Sequence, residues 1–203
     1  MDNRINSKQE RYAEINRITH ETSISMKLWL DGAGESKIAT GIGFFDHMLT
    51  LLAKHGLLDV ELTVKGDLEV DGHHTVEDVG IVLGQALAKA LVSKDGIKRY
   101  GSAFVPMDEA LVLVALDFGG RPYLVYEVEV PSSKVGNFDT ELVQEFLQAL
   151  AVNAAMNIHV RQFSGINTHH IIEAVFKALG QAIRAGATYD QRIKGVMSTK
   201  GTI

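Results

Sequence analysis

The chain of 203 residues contains no cysteine, only three prolines and a single tryptophan. Without cysteine it can form no disulfide and offers no thiolate to a metal ion. Any metal must therefore be held by His, Asp, Glu, backbone or water ligands, a set that suits Mn, Zn, Fe or Mg better than Cu(I). The absence of cysteine thus leaves a hard or borderline divalent ion as the metal to expect.

The sequence also lacks a long hydrophobic run and an excess of basic residues. No apolar stretch approaches the length needed to span a membrane, and the polar segment Met1–Glu10 has no apolar core typical of a signal peptide. The formal net charge of −5 argues against a nucleic-acid partner. We therefore expect a cytoplasmic protein with no membrane or nucleic-acid partner, whose residues 1–10 form a flexible arm.

Two histidine pairs are the most distinctive feature that is present. His73 and His74 precede Glu77, and the same pattern returns 96 residues later in His169, His170 and Glu173. Positions four apart share one face of a helix, so the first histidine of each pair can hold a cation together with its glutamate. Adjacent helical residues point about 100° apart, so one histidine of a pair can join the metal of its own half and the other a different ion, across an interface or not; the sequence does not assign which. The pattern predicts a two-metal enzyme.

The repeat extends beyond the histidines and indicates an internal duplication. At an offset of 96 the identical positions are His73/His169, His74/His170, Glu77/Glu173, Val79/Val175, Leu83/Leu179, Gly84/Gly180, Gln85/Gln181 and Ala86/Ala182. Hydrophobic periodicity predicts a strand-strand-helix-strand-helix unit in residues 11–97 and again in 98–190, followed by a polar tail over 191–203. We expect an α+β fold built from this internal duplication, with two sheets and the helix layers packed between them.

Two further ligands follow from the repeat. His47 lies in the first helix of the first half, and superposing the equivalent helix of the second half places Glu145 opposite it. A symmetric assignment then gives four ligands to each half. These are His47, His73, His74 and Glu77 in the first half, and Glu145, His169, His170 and Glu173 in the second. Asp139 is the expected N-cap of the helix that carries Glu145.

Four motifs resemble the imidazoleglycerol-phosphate dehydratase family of histidine biosynthesis. They are Gly-Phe-Phe-Asp-His-Met-Leu (43–49), Asp-Gly-His-His-Thr-Val-Glu-Asp (71–78), Asn-Thr-His-His-Ile-Ile-Glu-Ala (167–174) and Ser-Thr-Lys-Gly (198–201). The resemblance implies a lyase that converts imidazoleglycerol phosphate to imidazole acetol phosphate with two divalent ions per active site, usually Mn²⁺. It also implies a homo-oligomer of 24 subunits built from trimers, with sites at subunit contacts.

The resemblance also carries residue roles onto this chain. The eight metal ligands fall on the residues that the repeat singled out. The positions implied to contact the small phosphate substrate are Glu21, Arg99, Arg121, Lys177, Ser198 and Lys200. Two positions depart from the family pattern: Glu145 stands where some members have histidine, and Leu51 stands where a glutamine is common.

The implied reaction is difficult because no carbonyl acidifies the proton to be removed. Two ions on the ring nitrogens would stabilise an imidazolate, and Glu21 or Glu173 would act as the base. Glu21 is preferred because it is not among the metal ligands. A dinuclear metallohydrolase of a phosphate ester and a metal-storage or metal-sensing protein are the alternatives that share these residue types.

Overall fold

The computed structural model describes residues 11–203, so the predicted arm 1–10 lies outside the described residues. The strands are β1 (Tyr12–Ile18), β2 (Thr22–Trp29), β3 (Ser36–Ala39), β4 (Asp59–Gly66), β5 (Tyr100–Met107), β6 (Ala110–Asp117), β7 (Tyr123–Glu127), β8 (Lys134–Val135), β9 (Phe138–Asp139) and β10 (Asn157–Ser164). The helices are α1 (Gly43–Gly56), α2 (His73–Leu91), α3 (Leu142–Asn153) and α4 (Thr168–Ala187). Within residues 11–203, no helix combines the length and apolarity needed to cross a membrane.

Two four-stranded sheets repeat one topology. The first has the order β1-β2-β4-β3 and the second β5-β6-β10-β7, and in each only the last strand is parallel to its neighbour. The predicted strand-strand-helix-strand-helix unit does not include β3, which lies between β2 and α1. β3 has four residues, and its burial pattern shows no fully buried position. It therefore carries little of the alternation that predicts a strand.

The helices lie between the two sheets, and each packs across the boundary of the halves. α2 contacts the first sheet and α3, whereas α4 contacts the second sheet and α1. Gly84 and Gly180 permit this packing: a Cβ on Gly84 would lie 2.7 Å from Asn153 Cβ, and one on Gly180 would overlap the Leu52 carbonyl oxygen. The predicted α+β class, with its duplicated unit and its helix layers between two sheets, is confirmed.

The paired helices run parallel, which brings their first turns together. Gly80 of α2 approaches Phe146 of α3, and Gly84, one turn later, approaches Asn153. The first turn of α3 therefore lies beside the first turns of α2, and the same relation holds for α1 and α4. The predicted cap on α3 is wrong, because Asp139 belongs to β9, where it pairs with Lys134 at 3.0 Å.

Candidate metal centre

Three side chains from two helices converge at the N-terminal ends of α1 and α4. His47, His169 and Glu173 bring one ligand atom each within 4.8 Å of one another. The Nε2 atoms of His169 and His47 lie 3.2 Å and 3.8 Å from the same carboxylate oxygen, Glu173 Oε2. Among residues 11–203, this is the sole such group of three potential metal-ligating side chains. The group draws on both halves of the chain, since His47 of the first half joins His169 and Glu173 of the second.

Glu173 is held in its charged form although it is almost fully buried. Burial raises the pKa of its carboxyl, but the hydrogen bond and charge of Lys177, with further help from His169 and His47, outweigh that effect and lower the pKa. The Lys177 amine lies 2.6 Å from Oε1, so Oε2 remains directed at the two imidazoles. An ionised carboxylate oxygen beside two imidazole nitrogens is a donor set suited to a divalent transition metal.

The start of α4 fixes the two histidines that it carries. The side chain of Asn167 caps the helix by accepting hydrogen bonds from the backbone N–H groups of His169 and His170. The ring of Phe44 on α1 packs edge-on against the His169 ring, with 5.2 Å between centroids. Capping and packing together set the direction in which His169 points, as an Asn cap on an otherwise open helix end is expected to do.

A related but looser arrangement lies at the start of α2. His73 Nε2 is 3.7 Å from Glu77 Oε2, and both side chains are more exposed than Glu173. Glu145 is in the first turn of α3, which packs beside these turns of α2. These three side chains occupy places equivalent to His169, Glu173 and His47, but in the described residues they do not close to the same compact distances.

The two histidines of each pair have different carboxylate partners. The rings of His73 and His74 lie at 85°, and those of His169 and His170 at 81°. His74 Nδ1 is 3.0 Å from Asp67 Oδ2, and His170 Nδ1 is 2.7 Å from Glu109 Oε2. Each helix therefore directs one histidine towards its own glutamate and the other towards an acidic residue of a loop.

These loop carboxylates perturb the titration of their partners. The hydrogen bond from His170 is the largest cause that lowers the pKa of Glu109 to about 2, and the backbone N–H groups of Asn167 and Ile166 add to it. In return, Glu109 raises the pKa of His170, and Asp67 raises the pKa of His74. The sequence analysis missed Asp67 and Glu109, since no spacing relates them to the histidine pairs and only the sheet topology brings them there.

The side chains present fit a divalent metal. A carboxylate accepts hydrogen bonds, so the histidine Nδ1 that faces it donates, and the lone pair of that ring then resides on Nε2. Metal-ligating histidines commonly show this carboxylate contact on the nitrogen that does not bind the ion. Among the described residues, the buried atom Asp67 Oδ1 has no hydrogen-bond partner. The loop beside His74 can therefore accept a further hydrogen bond at this atom.

Four of the predicted substrate residues lie together elsewhere. Arg99, Arg121, Ser198 and Lys200 line a cavity of about 1350 Å³, where Lys98, Arg192 and Lys194 add to the positive charge. Arg99 pairs with Asp117 at 2.6 Å and donates to the Met197 carbonyl at 2.7 Å. These contacts place the C-terminal residues, predicted as a polar tail, against the start of β5.

This basic cleft and the group of His47, His169 and Glu173 lie at opposite ends of α4. The Arg99 N–H donates to the Gly186 carbonyl at the end of that helix, whereas His169 is in its first turn. From 169 to 186 the helix rises about 25 Å. Lys177 is not part of the cleft, since it binds Glu173. Glu21 is in neither place: its Oε1 lies 3.6 Å from His74 Nε2.

Comparisons with known proteins all indicate one family. Residues 40–183 match the family model described as imidazoleglycerol-phosphate dehydratase. The chain is similar to a protein of that name from Acetivibrio thermocellus, with 60% identity over 96% of this chain and 100% of the relative. A relative of the same name from Desulforamulus reducens is 58% identical over 95% of this chain and 98% of its own length.

Two solved structures with related titles share the fold. The dehydratase from Staphylococcus aureus aligns with a TM-score of 0.80 and 40% identity, covering 88% of this chain and 99% of that one. The protein from Pyrococcus furiosus, solved in complex with (S)-C348, aligns with a TM-score of 0.81 and 38% identity over 93% of this chain and 100% of that one.

Proposed function

The chain belongs to the imidazoleglycerol-phosphate dehydratase family of hydro-lyases, and we propose that it dehydrates imidazoleglycerol phosphate to imidazole acetol phosphate in histidine biosynthesis. The observation that carries the proposal is the convergence of His47, His169 and Glu173 into a site for a divalent ion. Two such ions, Mn²⁺ in our proposal, are held by eight side chains. The ligands are His47, His73, His74, Glu77, Glu145, His169, His170 and Glu173.

When bound, two divalent ions would supply positive charge that stabilises the substrate ring as an imidazolate. The chain's own part is to orient that ring. In the described residues, the Nε2 atoms of His74 and His170 lie 3.6 Å and 3.8 Å from the carboxylates of Glu21 and Asp108. We infer that their ions are completed by other subunits, which supports a homo-oligomer; the size proposed for it, 24 chains built from trimers, rests on the family resemblance.

The basic cleft supplies the phosphate clamp. Arg99, Arg121 and Lys200 carry positive charge, and Ser198 adds a hydroxyl donor, which together suit a phosphate monoester. Because the cleft lies about 25 Å along α4 from His169, one chain does not bring clamp and metal ligands to one small substrate. The clamp of one subunit is therefore proposed to serve the metal centre of another.

Glu21 is the proposed base. Glu173 is a poor candidate, because Lys177 lowers the pKa of its carboxyl and its oxygens already face the amine and the imidazoles. Glu21 is half-exposed beside His74 and is not among the ligands. The hydroxyl leaves from the carbon attached to the ring, Glu21 takes the proton from the next carbon, and the resulting enol tautomerises to the ketone. Water is the only other product, so the phosphate ester stays intact.

The proposal is tested by incubating the Mn²⁺-loaded protein with imidazoleglycerol phosphate and following ketone and inorganic phosphate in parallel. Dehydration predicts ketone without phosphate release. Phosphate release without ketone would show the alternative, a dinuclear metallohydrolase. Metal binding without either product would indicate a storage or sensing protein. Metal analysis of the same sample should give two ions per active site.

A further inference from the structure

We propose that Asp67 and Glu109 are positioning residues, which fix the ring direction and tautomer of His74 and His170 so that each presents Nε2 to a divalent ion. The inference rests on the proposed function in one respect, the assignment of these two histidines as metal ligands. It adds two side chains that touch neither the substrate nor the ion and act through the imidazole between them.

Glu109 uses both of its oxygens to do this. Oε2 lies 2.7 Å from His170 Nδ1, while Oε1 accepts from the backbone N–H of Asn167 at 2.8 Å and of Ile166 at 3.1 Å. The two backbone hydrogen bonds therefore hold the Glu109 carboxylate against the segment that leads into α4, while its other oxygen contacts the His170 ring. Because Asn167 also caps the backbone N–H of His170, at 3.3 Å, the main chain and the ring of this histidine are both held.

Asp67 holds His74 from a different part of the fold. It follows β4 directly, and its backbone N–H donates to the Glu21 carbonyl at 3.1 Å, which fixes the loop against the start of β2. Its Oδ2 lies 3.0 Å from His74 Nδ1. On the other side of the ring, His74 Nε2 faces solvent and the Glu21 carboxylate at 3.6 Å. The ring thus shows the same orientation, with Nδ1 inward and Nε2 outward, that Glu109 imposes on His170.

The other two histidines of the pairs do not follow this pattern. His73 and His169 meet Glu77 and Glu173 through Nε2. Glu77 and Glu173 therefore contact the ring nitrogen that would bind the ion. They lie on the metal side of the ring and would act as further ligands. Of the four, His74 and His170 alone have a carboxylate of residues 11–203 on Nδ1, the side away from the proposed ion. The arrangement is therefore specific to the two outward-facing histidines.

The two halves place a carboxylate on the histidine Nδ1 with residues from different parts of the fold. Glu109 directly precedes β6, as Glu21 directly precedes β2. In the second half that position provides the positioning carboxylate. In the first half Asp67 takes over the contact with Nδ1, and Glu21 stands instead on the Nε2 side of His74. This exchange explains why one of two equivalent glutamates is available as a base and the other is not.

The test is a titration of the metal-free protein with Mn²⁺, in which electron paramagnetic resonance of the free ion gives affinity and stoichiometry. We expect E109A to weaken binding about 10–100-fold, the usual effect of losing the partner of a metal-ligating histidine. If Glu109 acts through His170, the H170A substitution should weaken binding by itself, and adding E109A to it should change nothing further. D67A and H74A form the matching pair for the first half.

Two controls keep the outcomes separate. E127Q changes an exposed carboxylate that pairs with Arg161 on the second sheet and should bind Mn²⁺ as the wild type does. E109Q preserves shape if E109A fails to fold, and it should show an intermediate loss. If H170A weakens Mn²⁺ binding but E109A and E109Q both bind Mn²⁺ as the wild type does, the positioning role is wrong. If H170A itself leaves affinity and stoichiometry unchanged, the ligand assignment of the proposed function fails instead.

Discussion

The Lys177 amine donates a hydrogen bond to Glu173 Oε1 at 2.6 Å. His47 and His169 face the other oxygen of that carboxylate, Oε2. The lysine is one helical turn beyond the glutamate and equally shielded from solvent. The equivalent position in the first half is Ile81, so Glu77 has no such partner on its own helix. The two proposed metal sites therefore differ in charge: the first has Glu77 and Glu145 with His73, whereas the second has a single glutamate whose charge Lys177 offsets.

This difference predicts the effect of K177M on metal affinity. A positive charge several ångströms from a cation repels it by about 1 kcal/mol even in water-like surroundings. Because packing in α4 also holds Glu173, we expect loss of the charge to outweigh loss of the hydrogen bond. Titration of the metal-free variant should show Mn²⁺ bound several-fold more tightly, while K177R matches the wild type. Weaker binding by K177M would mean that Lys177 mainly orients the carboxylate.

Replacing the proposed base separates catalysis from metal binding. E21Q keeps the size of the side chain but removes its ability to accept a proton, so turnover should fall by at least 100-fold, within the range that general bases contribute. Metal content should remain that of the wild type, since Glu21 is not a ligand. E14Q, an exposed carboxylate on β1, is the control. Near-normal turnover by E21Q would remove Glu21 from this role.

The close helix contacts predict a steric effect on stability. In G180A the new methyl group would overlap the backbone of α1 at Leu52 and would lie 2.9 Å from the Gly56 nitrogen. Overpacking of this kind costs about 1–3 kcal/mol, which should appear as a lower Tm in thermal denaturation. G43A, at the start of α1, has open space around the new methyl group and should be neutral or stabilising. Equal Tm values for the two variants would contradict the packing described.

The depressed pKa of Glu109 predicts a change in acid stability. With a folded-state pKa of about 2 against an ordinary 4.5, this carboxylate stabilises the native state above pH 4.5. That contribution is lost as the pH falls from 4.5 towards 2. In the metal-free protein, the Tm of the wild type should therefore drop more steeply between pH 5 and pH 3 than the Tm of E109Q. E127Q should follow the wild type, and parallel curves for E109Q would refute the assignment.

Much of this fold could be predicted from periodicity and repetition. The alternation of Ile24, Met26 and Leu28 predicted β2, and all three side chains are buried. The offset of 96 located both histidine helices and their equivalent glycines. These features are local or are copied along the chain, so a single sequence displays them. β3 was missed because it has four residues at a sheet edge, none of them buried, which leave no such pattern.

For the candidate site, the sequence indicated residues but not how they group in space. The spacing of four between His169 and Glu173 is a property of one helix and was visible, but the arrival of His47 depends on how α1 packs on α4. Asp67 and Glu109 lie in loops whose position depends on strand order. The separation of the basic cleft from the proposed metal ligands follows from the length of α4 together with the path of the last residues, which no motif specifies.

The central claim is that metal ligands and phosphate clamp of one active site come from different subunits. It is tested most directly by mixing two inactive variants, H169A in the metal centre and R121M in the clamp, and measuring dehydration after they assemble together. Mixed particles should regain activity, because some sites pair an intact metal centre with an intact clamp. R121M mixed with K200M, both in the clamp, should regain none. No activity from H169A with R121M in mixed particles of confirmed composition would contradict the account.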